Sequence, residues 1–145
     1  MDSTYILDAN ILLSGLLSQK PFYEILAQRN KIYIPEFGYT ELGIYSNLIL
    51  KRSKLEFPKL KAFTLRFVSG ITVVPEFIYA GASTQSAMQW CADIDLKDTA
   101  YVALAIELEC TLLTRDKPLQ DGLKKKGFDP VMLFDEFVRS LIHQE

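Results

Sequence analysis

Short apolar runs rich in β-branched and aromatic residues recur at Thr4–Leu7, Lys31–Ile34, Ile71–Val74, Thr111–Leu113 and Val131–Leu133, and each has the length and make-up of a strand. Between them the apolar positions change to three- and four-residue spacing, as at Phe22, Ile25 and Leu26 or at Leu42, Tyr45 and Ile49, which predicts helices. Five strands alternating with stretches long enough for crossover helices predict an α/β fold, with a parallel sheet covered on both faces. From Tyr39 to Gly70 two helical patterns part near Pro58, which predicts a helical hairpin between the second and third strands. The stretch Thr99–Ile106 is apolar almost all round, as a helix buried against a sheet should be. Its alanines, at 100, 103 and 105, favour helix over strand.

A chain of 145 residues fits one domain, so residues 1–145 are expected to share a single core. Hydrophobic residues make up 49% and charged ones 23%, the balance of a globular protein rather than a disordered one. Leu7, Ile11, Leu12, Leu13, Leu16 and Leu17 form an apolar start, but Asp2, Asp8 and Asn10 interrupt it and no basic leader precedes it. Neither a signal peptide nor a membrane span is expected. Cys91 and Cys110 have no CxxC spacing and no histidine partners, which fits reduced packing thiols and a cytoplasmic location. The net charge of −2 opposes a protein that coats nucleic acid by bulk electrostatics. It leaves room for an enzyme that touches few phosphates and borrows positive charge from metal ions.

Asp8 follows the run Tyr5-Ile6-Leu7, and Asp116 follows Leu112-Leu113-Thr114-Arg115, so both should stand just past the carboxyl ends of parallel strands, where open α/β sheets bind ligands. Each also precedes a helical stretch, where an Asp ordinarily caps the helix. Glu41 belongs to a stripe continuing through Ile44 and Leu48 and is expected to tilt toward the protein; taken alone it is an ordinary acid near a helix start. Asp95 and Asp98, three apart at the head of the buried helix, can divide the work, one capping and the other facing the sheet edge. Separate elements thus bring acids to one end of the sheet, with no Lys or Arg obliged to be near them. Carboxylates at close range resist ionising together, and hard divalent cations remove that cost.

The segments Leu7-Asp8-Ala9-Asn10, Glu41, Asp98-Thr99-Ala100-Tyr101-Val102-Ala103-Leu104-Ala105 and Thr114-Arg115-Asp116 occur in that order across essentially the whole chain. In this combination the sequence resembles a PIN domain. The resemblance implies a three-layer α/β/α sandwich around a five-stranded parallel sheet, and endonucleolytic hydrolysis of RNA using Mg²⁺ or Mn²⁺. Carried onto this chain, it makes Asp8, Glu41, Asp98 and Asp116 the catalytic metal ligands, directly or through water. Asn10 matches a residue that helps hold the first aspartate, and Thr114 one whose hydroxyl supports the last. Asp95 is an additional acid, open between a fifth ligand, a group that orients a ligand and a cap. Stand-alone chains of this size resemble the toxin halves of VapBC-type toxin–antitoxin pairs, which implies a small antitoxin partner and often a homodimer; a housekeeping RNA-processing nuclease would carry the same acids.

Other chemistries fit less well. His143 is the sole histidine, too few for a zinc site or a histidine-based triad. A phosphotransferase of the haloacid-dehalogenase type would use Asp8 as nucleophile but needs an acid two residues later, where Asn10 stands. A noncatalytic binding module has no reason to keep four mutually repelling carboxylates. Basic residues gather at Lys51, Arg52 and Lys54, continue at Lys59, Lys61 and Arg66, and recur at Lys124-Lys125-Lys126. A solvated helix face is the ordinary explanation, with RNA guidance by Lys51, Arg52 and Lys54 as the functional one. The aromatics Trp90, Phe63, Phe67, Phe77 and Tyr79, with Met88, read chiefly as core, with base stacking as the alternative. Leu12, Leu13, Leu16, Leu17, Phe22 and Tyr23 are apolar enough for a partner groove or a dimer face, or for burial within the chain.

Overall fold

The computed structural model describes residues 3–142, so His143 lies outside the described residues. β1 (Thr4–Leu7) is followed by α1 (Ala9–Ser18) and α2 (Pro21–Arg29), then β2 (Lys31–Pro35) by α3 (Glu36–Ile44), α4 (Ser46–Arg52) and α5 (Phe57–Ser69). β3 (Ile71–Val74) is followed by α6 (Glu76–Tyr79) and α7 (Ala82–Cys91), and a 3₁₀ turn (Leu96–Asp98) opens α8 (Thr99–Leu108). β4 (Thr111–Thr114), α9 (Lys117–Lys125), β5 (Val131–Leu133) and α10 (Phe134–Ile142) complete the chain. All five strands predicted from the sequence form one parallel sheet in the order β3-β2-β1-β4-β5. Helices lie on both sides of it, giving the expected three-layer α/β/α sandwich.

The core explains the order. β1 and β4 pair at the centre, with Leu7 opposite Leu113, and Ile6, Leu7, Leu112 and Leu113 are all buried, as strands covered on both faces must be. α8 lies against β1, β2 and β4 and buries every residue from Tyr101 to Ala105. Its small alanine side chains let the helix approach the sheet closely. Gly15 admits the edge of Phe67, whose ring would lie 2.7 Å from a Cβ placed there. The apolar start of the chain is used largely inside the molecule: Leu12, Leu16 and Tyr23 are buried, while Leu13, Leu17 and Phe22 are half-buried.

The predicted helical hairpin is instead three helices, and its main break precedes Pro58. Ser53 closes α4 by accepting the Leu55 N–H at 3.1 Å and donating to the Leu55 carbonyl at 2.8 Å. Pro58 lies in the first turn of α5, where a missing N–H removes no helical hydrogen bond. The chain also turns at Tyr45, between α3 and α4. That turn overrides the predicted stripe: Leu42 and Gly38 point inward, whereas Ile44 is 77% exposed.

Cys91 is buried and Cys110 half-buried, and both are free. Burial above all pushes both thiols up to about 11, so they stay protonated and unreactive at neutral pH. Among the described residues no helix is long and apolar enough to cross a membrane. For function, the decisive feature is topological. Connections run from β1 to β2 to β3 and then return to β4 on the other side of β1. At such a reversal a crevice opens beyond the carboxyl ends of the two central strands.

Candidate active site

Asp8 and Asp116 stand in that crevice for the local reasons the sequence offers, and capping does not compete with it. Asp8 caps α1 through Oδ1, which accepts the Asn10 N–H at 3.0 Å, and its Oδ2 accepts the Thr114 hydroxyl at 3.1 Å. Asp116 caps α9 through Oδ1, which accepts the Leu119 N–H at 3.0 Å. Its other oxygen has no protein partner among the described residues. A cap needs one carboxylate oxygen, so the second remains available.

Thr114 is fully buried, and its hydroxyl also accepts the Asp116 N–H at 3.1 Å. It therefore supports the Asp8 carboxylate and the Asp116 backbone, rather than the Asp116 carboxylate that the sequence resemblance points to. Asn10 holds Asp8 through its backbone N–H, while its exposed side chain lines the cavity.

A cavity of about 160 Å³ is lined by Asp8, Asn10, Glu41, Asp98 and Asp116, with Ala9, Asp95, Lys97, Tyr45 and Tyr101 completing its wall. Four acids from four separate segments, and the extra Asp95, thus face one space. Glu41 is held there by a residue that the apolar pattern of α8 assigns to the core: the Tyr101 hydroxyl donates to Glu41 Oε1 at 2.6 Å. Gly38 makes room, because a Cβ at that position would lie 2.7 Å from the Tyr101 hydroxyl. The i+3 position of Tyr101 after Asp98 is the signal the sequence offers, since it places Tyr101 in the first turn of α8 on the side of its N-cap Asp98.

Asp95 caps the 3₁₀ turn by accepting the Lys97 N–H at 2.9 Å. Asp98 makes no cap bond. Its Oδ2 is buried without a hydrogen-bond partner among the described residues, and its carboxyl is pushed up to about 7, first by burial and then by the charges of Asp8, Asp95, Asp116 and Glu41. Asp8 is likewise raised, with burial the largest cause and the Glu41 and Asp116 charges adding to it, against the lowering by its own hydrogen bonds. Burial, followed by the bond to Glu41, raises the Tyr101 hydroxyl.

No spacing in the sequence obliges a cation to lie near the acids, and the structure brings one there. Lys97 lines the cavity, because the 3₁₀ turn that orients Asp98 carries it there. Arg115, between Thr114 and Asp116, instead reaches toward Ser14 and Tyr23. Lys51, Arg52 and Lys54 are exposed at the end of α4 and beyond it, and line no part of the cavity. Among the described residues, no three His, Cys, Asp or Glu side chains are already gathered in ion-holding positions. The donor set nonetheless fits a hard divalent cation: its oxygens are carboxylate, and the buried, unpartnered Asp98 Oδ2 is the kind of atom that needs one. Asp8, Glu41, Asp98 and Asp116 are the residues that would hold it.

Phe63, Phe67 and Tyr79 are core residues, whereas Phe77 and Met88 are exposed and line no part of the acidic cavity. Trp90 packs on Phe128, with ring centroids 5.4 Å apart.

Replacing Tyr101 by Phe tests the wall of the site. The variant should keep its fold and lose about 1 kcal/mol of stability from the missing bond, and a divalent ion offered to these acids should bind roughly tenfold more weakly, since Glu41 is no longer oriented. A titration of the melting temperature against Mg²⁺ reads this directly, and an unchanged midpoint would show that Glu41 needs no help from Tyr101.

Comparison with known proteins agrees with this geometry. A family model described as PIN domain matches residues 6–133. No curated protein matches the chain in sequence. Among solved structures, PAE2754 from Pyrobaculum aerophilum is similar at 16% identity and a TM-score of 0.65, over 99% of this chain and 98% of that one. VapBC2 from Rickettsia felis, solved bound to a DNA fragment from their promoter, is similar at 18% identity and a TM-score of 0.59, over 90% of this chain and 98% of that one. At such identities the structures speak for the fold, while the match over residues 6–133 decides the family. The acids at the β1–β4 crevice thus sit in a chain that belongs to the PIN domain family, whose members are nucleases.

Proposed function

We propose that this chain is an endoribonuclease that hydrolyses RNA phosphodiesters with Mg²⁺ or Mn²⁺ held by Asp8, Glu41, Asp98 and Asp116. The observation that carries the reading is the unpartnered Asp98 Oδ2 inside a cavity walled by the other three acids. When bound, a divalent ion supplies activation of water and stabilisation of the leaving oxygen. The chain's own part is to keep its ligands in place: Asn10 N–H and the Thr114 hydroxyl fix both oxygens of Asp8, Tyr101 fixes Glu41, and the α9 cap fixes Asp116. Asp98, pushed up to about 7, holds a proton for part of the time in the metal-free protein and gives it up as a cation is taken up. Asp95 contributes negative charge at the rim.

A haloacid-dehalogenase type of phosphotransfer is less well supported. Lys97 supplies a cation in the cavity, but the residue two after Asp8 is still the amide Asn10, which cannot act as the acid/base that chemistry needs.

The biological setting we favour is the toxin half of a toxin–antitoxin pair, working as a homodimer in the cytoplasm and kept silent by a small protein that covers the acidic cavity. Its support is the motif resemblance together with the similarity to VapBC2. The test of the chemistry is incubation of the purified chain with a panel of defined RNAs in Mg²⁺, Mn²⁺ or EDTA. Cleavage within the RNAs is expected with either metal, none in EDTA, and recovery when metal is restored. Cleavage that continues in EDTA would sink the proposal.

A further inference from the structure

Arg115 opens on a separate recess of about 450 Å³, lined by Lys20, Arg115 and Arg139, by Phe22, Tyr23 and Phe134, and by the single acid Asp135. Three cations against one acid is a local excess of positive charge in a chain whose net charge is −2. Arg115 is fixed there: Nη1 donates to Ser14 Oγ at 3.1 Å, Nη2 donates to the Tyr23 hydroxyl at 3.2 Å, and the guanidinium carbon lies 5.2 Å from the centre of the Phe134 ring. A guanidinium has five N–H donors, so most of its fork stays available. Lys20 and Arg139 have no ion-pair or hydrogen-bond partner among the described residues.

The recess and the acidic cavity are neighbours along α1. Ser14, which holds Arg115, donates to the carbonyl of Asn10 at 2.9 Å, and Asn10 lines the acidic cavity. One helical turn, ~6 Å of rise, separates those two α1 positions, so Arg115 is anchored one turn from a residue that lines the acidic cavity. Arg115 itself lies between Thr114 and Asp116 in sequence. By contrast Lys51, Arg52 and Lys54 line neither space.

We propose that Lys20, Arg115 and Arg139 form a phosphate-binding site that grips a single-stranded RNA at a phosphodiester flanking the one presented to the acidic cavity. The site rests on the RNA-cleaving reading above. Planar, fixed Arg115 supplies bidentate recognition of phosphate oxygens, and Lys20 and Arg139 supply charge. Positive charge held just outside the carboxylates also answers how an acidic protein attracts a polyanion: the strand is captured beside the acids, not on them.

The test is binding of a labelled, unstructured oligoribonucleotide to the full chain in EDTA, followed by fluorescence anisotropy over a range of salt. Lys20→Ala with Arg139→Ala should weaken binding roughly tenfold at low salt and flatten the salt dependence by about 1.4 in slope, at ~0.7 per single-strand phosphate contact. The melting temperature should not move, because neither side chain has a partner to lose among the described residues. Arg115→Lys, which keeps the charge but not the fork, should weaken binding less than the double change. Lys51→Ala with Arg52→Ala should leave the slope as it is. A double variant that binds with wild-type affinity and slope overturns the site, even if the protein cuts RNA. Weakened, flattened binding in a protein that cuts no RNA under any metal supports the site and overturns the nuclease reading instead.

Discussion

Asp8→Asn, Asp98→Asn and Asp116→Asn should each lower divalent-dependent RNA cleavage by roughly 10²- to 10³-fold while leaving the fold intact. The amide keeps the shape of the carboxylate and loses the charge that holds a cation. At Asp116 the cap survives, since an amide oxygen accepts the Leu119 N–H as well as the carboxylate Oδ1 does. At Asp8 the amide oxygen can still accept the Asn10 N–H, while its NH₂ can donate to Thr114 Oγ1, which now donates to Oδ2. Asp98 loses no hydrogen bond of its Oδ2, which has none. Glu41→Gln should do less damage, because its amide oxygen still accepts the Tyr101 hydroxyl. Cleavage assays beside circular dichroism separate lost chemistry from lost structure. Undiminished activity in all three Asn variants would remove these acids from the mechanism.

What made the acids legible was their place relative to strands. Asp8 directly follows an apolar run, and Asp116 follows another after two intervening residues, so a parallel sheet puts both at one edge whatever the details of the helices. Glu41 and Asp98 were harder, because a helix carries a residue to a site only if the helix itself is placed. The predicted stripe through Glu41, Ile44 and Leu48 has its middle residue in solvent, since the turn at Tyr45 ends the helix that the periodicity would continue. Glu41 reaches the cavity through a different cause, the hydroxyl of Tyr101 from α8, and no spacing in the sequence encodes a contact between residues sixty apart. The same limit hid Lys97, which a 3₁₀ turn carries into the cavity, and Arg115, whose direction is set by Ser14 and Tyr23. Periodicity reports which face of an element is apolar. It does not report which polar groups meet across elements.

Without metal, Asp98→Asn should make the protein more stable at neutral and alkaline pH, even as it removes activity. The wild-type carboxyl is raised from 3.8 to about 7, mainly by burial, with the surrounding acids adding to it. Below about pH 4 the group is protonated both folded and unfolded, and contributes no difference. Between about pH 4 and 7 the folded chain binds more protons at this group than the unfolded chain, so its contribution falls as pH rises. Above about 7 the folded state carries the full cost of a crowded, partly desolvated charge. A shift of that size corresponds to at most ~4 kcal/mol, which solvent and salt in an open cavity reduce to about 1–2 kcal/mol. Asn carries no such cost, so its melting temperature should exceed that of wild type by roughly 3–8 °C at pH 8 in EDTA and match it near pH 4. Magnesium should reverse the ranking. Binding to the folded site with a dissociation constant near ~1 mM adds roughly 1.4 kcal/mol at ~10 mM, and the variant, short of one ligand, should gain less. Melting both proteins at pH 4 and pH 8, with EDTA and with Mg²⁺, isolates each effect. Equal gains from Mg²⁺ would place Asp98 outside the metal site and make Asp95, the other acid of the same turn, the next residue to replace.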